Sequence, residues 1–142
     1  MAPLVSTIEV ARPPHEVFAV ATDPLRFPEW QRDVVRVRML DGSRFASTRR
    51  MPGGARTIVQ AITRNDPPYS WAAAGVEGAI RPAATLTIEP IDGGARSRVT
   101  FTLDFEGHGV GVPLVPLIRR TAGRFAPASY ENLRRLMEGQ TG

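Results

Sequence analysis

From Arg98 to Phe105 the chain reads RVTFTLDF, with Val99, Phe101, Leu103 and Phe105 separated by Thr100, Thr102 and Asp104. A period of two sends the four apolar side chains to one face of a strand, and Arg98, Thr100, Thr102 and Asp104 to the other. An apolar sheet face has to be covered by another element of the chain. One segment qualifies. Past the glycine-rich EGHGVGVP (106–113), Ile118, Ala122, Phe125, Ser129, Leu133 and Leu136 recur at helical spacing, with Arg119, Arg120, Arg134 and Arg135 largely opposite. The spacing predicts one long helix over 114–138, lying on the sheet. Pro127 inside it is expected to kink or locally break it, because proline removes one backbone hydrogen bond and crowds the preceding turn.

The rest of the chain supplies that sheet. Residues 5–11 read as a first strand, with Ser6, Ile8 and Val10 on one face. RPPHEVFAVAT (12–22) turns helical behind Pro13 and Pro14, and Val17, Phe18, Val20 and Ala21 fall on one side. In TDPLRFPEW (22–30), Asp23 caps a second, short helix that Pro24 opens and Pro28 closes, and Trp30 stands at its exit. The period then returns to two. Val35, Val37 and Met39 alternate with Arg36 and Arg38, and a DG turn at 41–42 leads into a strand over 44–51. PGG (52–54), NDPP (65–68) and DGG (92–94) punctuate strands over 56–64, 69–76, 80–90 and 96–106. Pro82 marks a bulge or an edge.

Length and composition narrow the class. With 142 residues the chain is expected to form one domain around one core. There is no cysteine, which rules out disulfides, thiol catalysis and cysteine-held metals. All 18 basic residues are arginine, for a net charge of +4, but the pairs at 49–50, 119–120 and 134–135 are dispersed and lack interleaved aromatics. No nucleic acid is expected as a partner. No run approaches the length of a membrane span, and the N-terminus lacks signal-peptide features, so the expectation is a cytoplasmic, bacterial protein.

The element order and several motifs resemble the START-like (SRPBCC) superfamily, within it the polyketide cyclase/dehydrase-like group. The residues that carry the resemblance are ARPPHEVFAVATDPLRFPEW (11–30), RRMPGG (49–54), DPPYSW (66–71), IRPAATLTIEP (80–90) and RVTFTLDFE (98–106). The resemblance implies an α+β helix-grip fold. A curved seven-stranded antiparallel sheet would hold the last helix over an apolar cavity, and the two short helices would plug one end. Trp30 would then sit at the bend between those helices, either as core or against a ligand.

The candidate site residues follow from strand parity and this layout. They are Trp30 at the bend, Arg49 and Met51 at the end of the third strand, and Tyr69, Trp71 and Arg81 from the fifth and sixth. Phe101 comes from the seventh strand, and Phe125 and Ser129 from the last helix. An arginine inside the cavity needs a carboxylate partner, so Arg81 would imply Glu77 or a ligand acid; a bulge at Pro82 would reverse its parity. His15 reads as solvated at a helix start, and His108 as a loop residue near the cavity mouth. GVG (109–111) is too short for a dinucleotide fingerprint and reads as a hinge. No metal-ligand spacing and no nucleophile elbow is present, so no cofactor is expected.

The function expected first is binding of a small hydrophobic, lipid- or polyketide-like molecule, elongated or polycyclic, with a carbonyl, phenol or carboxylate. An enzyme resembling polyketide cyclases is the alternative, its proton transfers falling to Tyr69, His108 or Arg81. The third reading is a partner-binding domain with an exposed apolar patch. The sequence leaves monomer and homodimer both open.

Overall fold

The computed structural model describes residues 2–51 and 53–139; Met1, residues 140–142 and Pro52, the first residue of the expected PGG turn, lie outside them. Among the described residues the strands are β1 (Leu4–Val10), β2 (Val34–Met39), β3 (Arg44–Met51), β4 (Gly54–Asp66), β5 (Ser70–Gly75), β6 (Ile80–Ile91) and β7 (Arg96–Gly107). They form one antiparallel sheet in the order β1-β7-β6-β5-β4-β3-β2. Each strand from β2 to β6 pairs with its successor, as tight turns require, and β1 closes against β7 from Leu4↔Leu103 to Val10↔Ser97. Helix α1 (Pro14–Ala21) and a 3-10 helix (Pro24–Glu29) therefore carry the chain from one edge of the sheet to the other. Helix α2 (Val115–Glu138) crosses the concave face as the expected lid.

Local chemistry accounts for most boundaries. The Asp41 carboxylate accepts from the Ser43 and Arg44 amides at 2.8 and 2.9 Å, which sets the DG turn. In the DGG turn Asp92, Gly93 and Gly94 all take positive φ (51°, 69° and 94°), a run that only glycine accepts readily. Asp23 caps the 3-10 helix by accepting from Leu25 N at 3.1 Å. The core joins both faces of this architecture: Val10, Val17, Phe27, Trp30, Phe45, Trp71, Leu86, Val99, Phe101, Tyr130, Leu133 and Met137 form one buried cluster. At roughly 25 cal/mol per Å² of apolar surface removed from water, this cluster is the main stabilising contribution.

Two expectations change, and two that were left as alternatives narrow. Pro28 does not end the second helix, which runs as 3-10 to Glu29, because Trp30 N and Gln31 N both bond back to Phe27 O at 3.1 and 2.8 Å. In β2 the register passes from Val34↔Arg49 to Arg36↔Thr48, and this bulge turns Val34 inward and leaves Val35 exposed. Pro82 makes no bulge: β6 pairs β7 without a slip, and β5 stops at Ala74↔Ala83, so Pro82 occupies an edge position. Helix α2 is continuous through Pro127. Gly123, whose carbonyl the proline ring crowds, has no side chain, and both residues are exposed, where water can take up the freed acceptor.

A cavity between the sheet and the last helix

The inward parity of each strand builds the walls of a cavity under α2. Register Val34↔Arg49 and Ser47↔Ile58 sets Ser47, Arg49 and Met51 on the concave side of β3, beside Ile58 and Gln60 of β4. Trp71, Leu86 and Phe101 continue the wall, and Ile118, Ala122, Phe125, Ala126, Ser129 and Tyr130 of α2 form its roof. The 3-10 helix adds Phe27 and Trp30. The cavity holds about 130 Å³ and is partly open to solvent.

One end is an aromatic cluster. Phe101 and Tyr130 stack with centroids 3.8 Å apart and planes 8° from parallel. Trp30 lies against both, at 6.1 and 6.4 Å, and meets Phe27 edge-on at 5.9 Å. Edge-on and offset contacts of this kind favour a fixed arrangement of rings. Trp30 thus serves as core and as cavity wall together, and its buried Nε1 donor has no partner among the described residues. Asn132 of α2 donates to the Trp30 carbonyl at 3.4 Å. The Ser129 hydroxyl accepts from Arg32 N at 2.9 Å, which explains a serine within the apolar stripe: it holds the chain that leaves the 3-10 helix.

The other end is polar and holds a paired arginine, with the exposed Arg50 at its margin donating to Arg32 O at 3.4 Å. Arg49 Nη1 donates to Asp33 Oδ2 at 3.1 Å, with side chains 17% and 28% exposed. Arg49 Nε donates to Ser47 Oγ at 3.2 Å, and the Ser47 hydroxyl donates to Gln60 Oε1 at 3.0 Å. Ser47 and Gln60 are buried. Tyr130 stands beside this pair, and its phenol is pushed up to about 12, first by burial and then by the Asp33 charge, with Arg49 opposing. It stays protonated at neutral pH and can donate a hydrogen bond.

The structure places seven of the nine expected residues around the cavity: Trp30, Arg49, Met51, Trp71, Phe101, Phe125 and Ser129. Phe125 lies at the rim, 41% exposed, rather than in the packed middle of the roof. Two lie elsewhere. Tyr69 precedes β5 in the turn and is exposed. Arg81 faces away from the cavity and donates to Gly78 O at 3.2 Å; without a bulge its parity is opposite to that of buried Leu86. His15 and His108 also lie outside the lining. His108 Nε2 comes within 2.9 Å of a Glu106 carboxylate oxygen, without the geometry of a hydrogen bond. Asp104 pairs with Arg119 of α2. Asp33, Gln60 and Tyr130 were not singled out by sequence. No three metal-ligating side chains converge among the described residues.

A seven-stranded antiparallel sheet closed on a long C-terminal helix defines the START-like, helix-grip class of proteins. The sequence matches the polyketide cyclase / dehydrase and lipid transport family over residues 1–138, and the chain belongs to that family. Solved structures agree on the fold. A START superfamily protein from Mycobacterium smegmatis superposes with a TM-score of 0.83 at 17% identity, covering 99% of this chain and 100% of that one. The Zhui aromatase/cyclase from Streptomyces sp. R1128 superposes at 0.73 and 15% identity, covering 97% of each. A protein from Thermus thermophilus superposes at 0.80 and 16%, covering 99% of each. No curated protein matches the sequence.

Proposed function

We propose that the protein binds a small, largely apolar, uncharged molecule carrying one oxygen function, held in the cavity between sheet and α2. The supporting observation is that Arg49, the arginine on the concave side of β3, is already engaged. Arg49 is engaged by Asp33 at 3.1 Å and by Ser47 at 3.2 Å. A ligand carboxylate that paired with Arg49 would have to displace Asp33 and leave that acid unpaired in a half-buried site. A phenol, ketone or alcohol needs only a hydrogen bond, which the protonated Tyr130 hydroxyl supplies. Apolar burial then provides affinity, and the polar end provides orientation. An engineered cavity of about 150 Å³ takes benzene, so the 130 Å³ here encloses about one ring. A longer ligand extends past Phe125 at the rim.

Catalysis of the cyclase type has less support. Aldol condensation needs a proton acceptor beside the reacting carbon. Asp33 is occupied by Arg49, Tyr130 holds its proton to about pH 12, and the histidines lie outside the lining. The test is displacement of the neutral fluorophore Nile red by 4-propylphenol and by 4-propylbenzoate, which share a skeleton and differ in charge. The phenol should compete at least about tenfold better, a difference of about 1.4 kcal/mol. Asp33→Asn releases the Arg49 charge and should narrow or invert that preference. Equal competition in the wild type, or a preference indifferent to Asp33→Asn, would overturn the reading.

A further inference from the structure

The corner where β7 passes into α2 carries an apolar surface that the fold does not use. Its backbone is firmly seated. His108 N donates to Ala79 O at 2.8 Å, and a Cβ on Gly111 would stand 2.0 Å from the same carbonyl, so the 3-10 helix Gly109–Leu114 lies directly on the β5–β6 loop. Its side chains face water instead of that loop. Val110 is 81% exposed, Val112 57% and Leu117 48%, with Leu114 and Val76 of the adjoining loop also exposed. Exposed aliphatics gathered at one corner in this way are the mark of an interaction site.

The same outward line of the helix then becomes cationic. Leu114, Leu117, Arg120 and Arg124 follow at spacings of three, three and four, and all four are exposed. Neither Arg120 nor Arg124 has a carboxylate partner among the described residues, whereas Arg119 is taken by Asp104 and the Ala2 carbonyl. Of the nearby acids, Glu106 stands opposite Arg81 across the β6–β7 ladder and beside His108, and Glu77 lies on the β5–β6 loop. The geometry points to this corner as a docking surface for an anionic lipid bilayer. The aliphatic side chains would enter the headgroup boundary, and Arg120 and Arg124 would meet lipid phosphates. A second copy of the chain fits less well. A twofold pairing on this patch would set Arg120 and Arg124 against their own copies on a chain of net charge +4. Phe125 follows Arg124, so docking brings the cavity rim to the bilayer. The docking itself does not rest on what the cavity holds.

Sedimentation with large vesicles separates the cases. Vesicles of phosphatidylcholine with one-quarter phosphatidylglycerol should bind the protein at low salt, and pure phosphatidylcholine should bind it far less. At about fivefold per arginine near an anionic surface, the pair Arg120→Gln and Arg124→Gln should lower the partition by roughly 25-fold. The pair Val110→Ser and Val112→Ser, both exposed, should lower it about tenfold with an unchanged unfolding midpoint. The pair Arg36→Gln and Arg38→Gln makes the same change of net charge on the outer face of β2, opposite Thr48 and Ala46, and should have less than about a twofold effect. Equal losses in both arginine pairs, equal binding to both vesicle types or no binding would overturn the proposal. So would a solution dimer that Val110→Ser and Val112→Ser dissolve.

Discussion

Tyr130 joins the aromatic and polar ends of the cavity, stacked on Phe101 at 3.8 Å and facing the Asp33–Arg49 pair. Burial raises its phenol from 10 to about 12. The unfolded chain therefore loses this proton near pH 10 while the native state keeps it. The native state's advantage is complete below pH 10 and is lost as pH rises through about 12, by about 2–3 kcal/mol in all. Urea unfolding from pH 8 to pH 12 should show that fall, and Tyr130→Phe should flatten it; an equal fall in the variant would assign it elsewhere. Arg49→Met leaves Asp33 without its partner and should cost about 1–2 kcal/mol, below the value for a fully buried pair because both side chains keep some water contact. The same scale shows where sequence reasoning fell short. The expected line of Ile118, Ala122, Phe125, Ser129, Leu133 and Leu136 leaves out Ala126, Tyr130 and Met137 beside it, and toward the end of α2 the buried face shifts onto Tyr130, Leu133 and Met137. A single stripe of helical period misses that drift. Arg81 was misplaced for a different reason: the buried Leu86 and Ile88 fix the parity of β6, and with no slip at Pro82 that parity sets Arg81 on the opposite face.

Among the elements, α2 carries the largest share of the roof, and its residues should not matter equally. Leu133 is fully buried, and Leu133→Ala should cost about 2–5 kcal/mol. Phe125→Ala, at the open rim, should cost only about 1 kcal/mol while weakening Nile red binding. Chemical denaturation of both variants checks this; a larger cost at Phe125 would mean that the rim is closed in solution. Gly111→Ala should destabilise the corner by about 2 kcal/mol or more, because the new Cβ would collide with the Ala79 backbone, which cannot yield as a side chain can. A neutral Gly111→Ala would contradict the packing described for the 3-10 helix. That element is legible in sequence only as a glycine-rich break. GVG reads as a hinge, yet Gly111 serves close backbone contact, and glycine is the residue for both uses. The long helix and the strands are legible because each buries one face and so shows its period. Short 3-10 segments have no such period, and Pro28 within Pro24–Glu29 reads as a stop for that reason.

At the scale of the whole molecule, the seven-strand sheet and its helical lid follow from two hydrophobic periods and the glycine and aspartate turns between them. That pattern, with the motif around Trp30, places the chain in its family and class. The contents of the cavity are another matter. Which polar side chains meet there depends on register between β2, β3 and β4 and on the roll of α2, and neither is written in any one segment. Asp33 and Arg49 are 16 residues apart in sequence and meet only because the bulge after Val34 sets that register. The same pairing leaves Arg49 already engaged, and of the carbonyl, phenol or carboxylate expected on the ligand it is the basis on which we propose the uncharged two. The described residues include no helix long and apolar enough to cross a membrane. The claim that a ligand lies between Trp30, Trp71 and Tyr130 is tested most directly by the two tryptophan indole N–H signals in a nitrogen-15 spectrum. On titration with 4-propylphenol both indole signals should move and saturate together, Trp30 the more strongly because its Nε1 is unpartnered. Unmoved indole signals alongside shifts confined to surface amides would contradict a ligand site in this cavity.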